Sequence, residues 1–183
     1  MEEERIDIWD ESGRPTGKTA LKSEAHAKGW WHPTVHIWCY QAGGKVLIEQ
    51  RSQEKELFPG LWDVSVAGHV EAGEAPEEAA LRELREEIGL KASKAELQDI
   101  GTFPEQHHHP DGQIDREFHH CFLLKLSHPL PVLYPNAGEV MGLKWISLLQ
   151  FAEETWGLAK ASLYVPHESR YYARIIRELK SRS

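Results

Sequence analysis

The sequence predicts an α+β fold of the α/β/α layered type, in which a mixed β-sheet lies between helices. Two observations support this. Strand-like segments outnumber helical ones along the 183 residues, and one central segment has clear helical periodicity. A sheet and a helix that each have one apolar face bury those faces by packing in layers. The length is sufficient for a sizeable core, and we expect residues 1–183 to form one domain.

The first half of the chain is predicted to be mostly strands. Residues 4–17 alternate in polarity and turn at Ser12-Gly13, which predicts a hairpin within an N-terminal extension, 1–33. Residues 34–40 and 45–51 are strand-like, with Gly43-Gly44 as the turn between them. A further strand is predicted over 61–70.

The segment 76–88 is predicted to be the central helix. Pro76 suits the first helical turn, and Gly89 is where a left-handed residue is expected to end the helix. The apolar stripe consists of Leu81, Leu84 and Ile88.

The second half alternates strands with two helices. Strands are predicted over 97–103, 117–126 and 140–146, and a short helix over 147–155. In the C-terminal segment, 160–183, apolar residues at helical spacing predict a helix over 166–182.

The composition excludes several classes of protein. A net charge of −8 argues against a sequence-independent nucleic-acid binder. Cys39 and Cys121 are too few for a disulfide framework and suit a reducing compartment. We see neither an apolar signal segment at the N-terminus nor a run long enough to span a membrane. We therefore expect a cytoplasmic protein without membrane or nucleic-acid partners.

Three carboxylates, Glu83, Glu86 and Glu87, share an arc of roughly 100° on the central helix, beside its apolar stripe. Like charges that flank a buried edge need to be neutralised. Hard oxygen ligands suit Mg²⁺ or Mn²⁺, so a divalent cation is the natural candidate. A plain glutamate-rich helix surface is the alternative reading of the helix alone.

The carboxylates belong to a longer pattern. Gly68 is followed after five residues by Glu74, after seven more by Arg82-Glu83-Leu84, then by Glu86-Glu87 and Gly89-Leu90. Residues 68–90 thus resemble the Nudix box, G-x5-E-x7-R-E-U-x-E-E-x-G-U with U apolar, and every defined position is filled.

The resemblance implies a Nudix fold and hydrolysis of a diphosphate linked to another moiety, with Mg²⁺ or Mn²⁺ as cofactor. It implies that the metal ligands are Glu83, Glu86 and Glu87, joined by the backbone carbonyl of Gly68. Arg82 is expected to hold the carboxylate of Glu86, its (i, i+4) partner. We expect Glu74 to be structural.

Residues 5–150 further resemble the branch related to isopentenyl diphosphate isomerase. That isomerase carries a catalytic cysteine where this chain has Ala67, and its box is degenerate, whereas this one is complete. Both departures favour hydrolysis. We expect a small-molecule substrate, first a nucleoside diphosphate or a derivative and second an isoprenoid diphosphate, acted on by a monomer or homodimer. An isomerase and a non-catalytic binding module remain as alternatives.

Residues outside the box are weaker candidates. His69 falls at a position that matches an isomerase metal ligand, and it is either a ligand or substrate contact or a plain strand residue. His36 is a second match, although a strand histidine with a local hydrogen bond is the favoured interpretation. Glu117 is an additional metal ligand or general base, or else a solvent-facing residue. Arg51 meets a substrate phosphate or lies on the surface.

Two histidine-rich stretches, QHHHP (106–110) and FHH (118–120), resemble metal-binding sequences. The first is followed by a turn signal, Asp111-Gly112. A polar loop near the pocket is favoured over a zinc site.

Overall fold

A seven-stranded mixed sheet forms the centre of the protein, as seen in a computed structural model that describes residues 3–55, 57–109, 112, 114–127, 132–156 and 161–182. Five strands follow the order β5-β4-β3-β8-β7, while β6 also pairs with β3 and β9 with β4. The strands of this sheet are β3 (His32–Gln41), β4 (Lys45–Arg51), β5 (Trp62–Asp63), β6 (Val66–His69), β7 (Leu97–His108), β8 (Ile114–Lys125) and β9 (Val140–Ser147).

The central pair, β3 and β8, is parallel, and the other pairs in this sheet are antiparallel. This mixture confirms the predicted sheet. The register places Thr34 of β3 beside His69 of β6 on one side and beside His119 of β8 on the other. It also places Glu117 of β8 between His32 of β3 and Glu105 of β7. Polar side chains from four strands therefore meet near one end of the sheet.

Helices cover both faces of the sheet. Helix α2 (Pro76–Ile88) packs on one face, where Leu84 and Ile88 join a buried apolar cluster with Leu47 of β4. Helices α3 (Leu148–Thr155) and α4 (Ser169–Lys180) pack on the other face. The layered α+β prediction is confirmed.

The bounds of α2 agree with the predicted 76–88. Pro76 begins the helix, and Gly89 follows it with φ of 69°, the left-handed conformation that glycine adopts without steric cost. The box carboxylates are consequently held on a helix with well-defined ends.

Several predicted bounds are wrong. The strand predicted over 61–70 is broken into β5 and β6, and helix α1 (Lys22–Lys28) was not expected. Helix α4 begins at Ser169, later than predicted. Strand β7 continues to His108 because Gln106, His107 and His108 stay paired with Arg116, Asp115 and Ile114 of β8. Three residues predicted to be in a polar loop are therefore in a strand, while Pro110 and Asp111 lie outside the described residues.

A separate N-terminal hairpin, β1 (Arg5–Trp9) with β2 (Pro15–Leu21), lies beside the loop that leads into α2. The amide of Gly73 donates to a carboxylate oxygen of Asp7 at 2.9 Å, and the amide of Trp9 donates to the carbonyl of Trp31 at 2.8 Å. These bonds fix the extension against the domain. Over the described ranges, we find no helix with the length and apolar character that crossing a membrane requires.

Candidate active site

Arg82 hydrogen-bonds to several carboxylates of the Nudix-box segment. Its guanidinium donates to Glu83 Oε1 at 2.7 Å, to Glu74 Oε2 at 2.9 Å and to Glu86 Oε2 at 3.3 Å. It also donates to the backbone carbonyl of His69 at 2.8 Å. The expected contact with Glu86 is thus present, but the contacts with Glu74 and Glu83 are shorter. One planar cation therefore fixes the helix to the strand that precedes it.

The Glu83 side chain lies directly against the backbone of Gly68. A Cβ atom placed on Gly68 would be 2.0 Å from Glu83 Cδ and 2.2 Å from Oε1. Glu87 approaches the neighbouring residue, since the amide of Ala67 donates to Glu87 Oε2 at 3.3 Å. Both carboxylates therefore face strand β6, and only glycine at position 68 leaves room for them.

Burial disfavours the ionised form of these carboxylates and so raises their pKa values. Glu83 is 8% exposed and Glu87 is 3% exposed. Burial raises the pKa of Glu83 to about 7, although Arg82 opposes that rise. Burial, together with the charge of Glu83, also raises the pKa of Glu87. The pKa of Glu49 on β4 is raised well above its usual value by burial and by Glu87. The sequence reasoning missed Glu49, which is 1% exposed.

Glu86 differs from its two neighbours. Its side chain is 59% exposed, while that of Glu83 is 10% exposed. Within the described chain, the three box carboxylates do not bring their oxygens within 4.8 Å of one another as a set. Among the described residues Glu86 hydrogen-bonds to Arg82 alone, and it faces solvent, so its side chain is free to turn toward an ion held by Glu83 and Glu87.

A second cluster of ligand atoms lies on the other side of β6. His26, His32, His69 and Glu117 place one ligand atom each within 4.8 Å of the others. His26 comes from α1, and the other three come from β3, β6 and β8. The Nε2 atoms of His26 and His69 are 3.0 Å apart, and Glu117 Oε1 lies 3.6 Å from His32 Nε2 and 3.8 Å from His69 Nε2.

Two histidines of this cluster are held through their other ring nitrogen. His32 Nδ1 lies 2.8 Å from the carbonyl of Trp30, while its Nε2 is buried without a hydrogen-bond partner among the described residues. His26 Nδ1 lies 2.9 Å from Asp115 Oδ1. In a metal-binding histidine, one ring nitrogen typically bonds to a carboxylate or carbonyl oxygen, which fixes the ring, and the other ring nitrogen faces the ion.

Electrostatics keeps Glu117 ionised and His69 neutral. Burial alone would raise the pKa of Glu117, but the neighbouring imidazoles of His32, His119 and His69 hold it well below its usual value. Burial lowers the pKa of His69 well below its usual value. An ionised carboxylate and a neutral imidazole are the forms that bind a metal.

Arg51 lies at the end of β4, near the buried carboxylates. Its Nε donates to the carbonyl of Leu57 at 3.0 Å, and its Nη1 lies 3.5 Å from Asp63 Oδ2. The side chain is 15% exposed.

The structure brings His69 and Glu117 together, and it also places His36 near Glu117, since His36, Glu117 and His119 hold one ligand atom each within 4.8 Å of the others. His36 Nδ1 lies 2.6 Å from the hydroxyl of Tyr171 on α4, a hydrogen bond of the kind expected for a strand histidine. The sequence reasoning missed His26 and His32. His26 lies in the short helix α1, and His32 is the first residue of β3, the strand that follows it.

Comparison with known proteins agrees with this geometry. Residues 30–165 match the NUDIX domain family. An uncharacterized Nudix hydrolase of Clostridium acetobutylicum is 38% identical over 155 residues, which are 83% of this chain and 74% of that protein. The isopentenyl-diphosphate Delta-isomerase of Streptomyces avermitilis is 33% identical over 150 residues, 81% of this chain and 73% of that enzyme. The crystal structure of a Deinococcus radiodurans protein has a TM-score of 0.69 at 24% identity and covers 96% of this chain and 99% of its own.

Proposed function

Because this chain belongs to the Nudix family and is a Nudix hydrolase, we propose that it cleaves a diphosphate linkage in a small molecule with the help of Mg²⁺ or Mn²⁺. The ion would be held by Glu83, Glu86 and Glu87, together with the backbone carbonyl of Gly68. The preference of these ions for hard oxygen ligands supports this donor set.

The observation that carries the proposal is the burial of Glu83 and Glu87 against the strand. Burying carboxylates side by side is unfavourable unless a positive charge compensates them. Arg82 compensates Glu83, yet the pKa of Glu83 stays raised to about 7 and that of Glu87 is raised as well. The pair therefore lacks positive charge, and a divalent cation would supply it.

A bound Mg²⁺ or Mn²⁺ would polarise the phosphoryl oxygens and lower the pKa of a water ligand. The residues of the chain would position the reactants. Arg82 would fix the Glu83 carboxylate through its bond of 2.7 Å. Glu86, which faces solvent, would reach the ion or accept the proton of the attacking water. Arg51 would bind a phosphate oxygen with its guanidinium.

The cluster of His26, His32, His69 and Glu117 would hold a second cation close to the same strand. The open Nε2 of His32 and the ionised Glu117 support this assignment. Neutral imidazoles with a carboxylate suit Mn²⁺ or Zn²⁺. Glu117 would then act as a metal ligand and not as the solvent-facing residue of the alternative reading.

The substrate is proposed to be a nucleoside diphosphate or a derivative of one. An isoprenoid diphosphate is the second candidate, favoured by the similarity to the Streptomyces isomerase. Isomerisation itself is disfavoured, because Ala67 occupies the position of the catalytic cysteine and a methyl group cannot transfer a proton.

The proposal is tested by measuring phosphate and pyrophosphate release from nucleoside, dinucleotide, sugar–nucleotide and isoprenoid diphosphates, with Mg²⁺ and with EDTA. Release that depends on Mg²⁺ from one class is the expected result. Tight binding of these compounds without turnover would instead favour a binding module.

A further inference from the structure

One carboxylate oxygen outside the site described above is surrounded by three imidazoles. Glu105 Oε2 on β7 lies 2.5 Å from His167 Nδ1, 3.0 Å from His119 Nε2 and 3.4 Å from His107 Nε2. The side chains of Glu105, His119 and His167 are 3–4% exposed, and that of His107 is 17% exposed. Glu105, His107 and His167 place their ligand atoms within 4.8 Å of one another.

The fold explains why these residues meet. Glu105 and His107 are two residues apart on β7, so their side chains point to the same face of the sheet. His119 lies on the neighbouring strand β8, opposite Phe103 of β7. His167 precedes α4, and the amide of Glu168 anchors this segment by donating to Glu105 Oε1 at 2.7 Å.

In His167 and His119, the ring nitrogen that does not face Glu105 has a hydrogen-bond partner of the kind that orients metal-binding histidines. His167 Nε2 lies 2.9 Å from Asp63 Oδ1, and His119 Nδ1 lies 2.7 Å from the hydroxyl of Thr34. A carboxylate or hydroxyl on the outer nitrogen fixes the ring and directs the inner nitrogen at the ion. Both ring nitrogens of His167 face carboxylates. In the absence of an ion, Nδ1 therefore carries a proton that it donates to Glu105.

We propose that Glu105, His107 and His167 form a binding site for a transition-metal ion such as Zn²⁺, with His119 beside them at the Glu105 carboxylate. Imidazole and carboxylate ligands suit this class of ion. In a tetrahedral Zn²⁺ site, bond lengths of about 2.0–2.1 Å separate the ligand atoms by about 3.3 Å. The distances from Glu105 Oε2 to His107 and His119 are already close to this value. His167 Nδ1 would exchange its proton for the ion and move outward by less than about 1 Å.

This site adjoins the cluster of His26, His32, His69 and Glu117, since Glu117 Oε2 lies 3.4 Å from His119 Nδ1, but it does not rest on the proposed function. Its donors come from β7 and the segment before α4, while the carboxylates of α2 lie on the other face of the sheet. A cavity of about 250 Å³ lined by Glu105, His119 and Arg170 adjoins the cluster and offers an ion a path from solvent.

The proposal is tested by titrating Zn²⁺ into the full chain by calorimetry, with excess Mg²⁺ present to occupy the helix carboxylates. His107→Ala removes a donor on the rim of the cluster. His108→Ala is the matched control, because His108 is the adjacent histidine of the same strand and is exposed. His26→Ala removes a donor of the other histidine cluster.

We expect wild type and His108→Ala to bind Zn²⁺ equally, and His107→Ala to bind one ion about tenfold more weakly or not at all. His26→Ala should leave that ion in place. An isotherm of His107→Ala that matches wild type would overturn the proposal, as would loss of all Zn²⁺ binding in His26→Ala.

A second measurement needs no variant and covers the case in which His107→Ala does not fold. An anomalous difference map at the zinc edge, from crystals of the unmodified protein soaked in Zn²⁺, should show a peak between Glu105 Oε2 and His167 Nδ1. A map without a peak at this position contradicts the site, and the cluster would then be an ion-pair network that anchors α4.

Discussion

Gly68 and Glu83 are in contact so close that no other residue fits at position 68. A Cβ atom there would lie 2.0 Å from the Glu83 carboxyl carbon, where real Cβ contacts are not found. The first glycine of the Nudix box is thus explained by the space that the first box carboxylate occupies beside β6.

Gly68→Ala should displace the Glu83 carboxylate and leave the fold intact. We expect kcat to fall by about tenfold or more, because a misplaced metal ligand weakens stabilisation of the transition state. Gly142→Ala is the control, since its new Cβ would meet only Gln50 atoms at 3.6 Å or more. Steady-state kinetics and thermal melting of both variants check this. Unchanged kcat in Gly68→Ala would show that Glu83 is not a ligand.

Replacing Glu86 or Glu87 by glutamine should lower kcat by about 10²-fold or more, as expected for the loss of metal-assisted catalysis. The two variants should differ in stability. Glu87→Gln removes a buried acid whose ionisation is unfavourable, so the metal-free variant should melt at or above the temperature of wild type. Glu86→Gln alters an exposed side chain and should melt as wild type does. Near-normal turnover in both variants would refute the assignment.

The stability of the metal-free protein should depend on pH through Glu83 and Glu87. Their pKa values in the folded state are raised, to about 7 for Glu83, above the ordinary glutamate value of 4.5. The folded state therefore binds more protons than the unfolded state in this range, and stability falls as pH rises from about 5 to about 8. Melting curves in EDTA across this range measure the effect.

Added Mg²⁺ should reverse that trend. Metal binding requires ionised carboxylates, so the Mg²⁺-induced rise in melting temperature should grow with pH. A rise that is the same at pH 5 and pH 8, or one that persists in Glu87→Gln, would place the ion elsewhere.

His167→Asn should destabilise the protein strongly. Asp63 and Glu105 both contact the His167 ring and raise its pKa to about 10. Removing the ring leaves two buried carboxylates without their shared cation, at a cost of about 3–5 kcal/mol. Urea unfolding checks this at pH 7, where the wild-type ring is charged. A decrease in the free energy of unfolding of less than about 1 kcal/mol, which is the range of surface ion pairs, would show that the ring is not charged.

Much of the fold follows from local signals in the sequence. Pro76 and Gly89 mark the ends of α2, and the Gly43-Gly44 turn correctly separates β3 from β4. The wrong predictions concern segments whose structure depends on pairing with strands that are distant in sequence. His108 remains in a strand because β8 continues alongside it, and the break between β5 and β6 depends on their pairing with different neighbours, β4 and β3.

The candidate site was only partly predictable for the same reason. The spacing of the Nudix box identifies carboxylates that share one helix, so Glu83, Glu86 and Glu87 could be named. Glu117 is distant in sequence from His26 and His32, and it meets them because β3 pairs in parallel with β8, which places Glu117 beside His32. Glu49 carries no local signal, since burial against Glu87 is a property of the folded sheet.

The most direct test of the central claim compares wild type with Glu87→Gln for phosphate release from nucleoside and isoprenoid diphosphates, with Mg²⁺ and with EDTA. We expect wild type to turn over one substrate class and EDTA to abolish this turnover. Glu87→Gln should lack the turnover, while both proteins remain folded. Turnover that survives EDTA, or that Glu87→Gln retains, would contradict a hydrolytic centre built on the helix carboxylates.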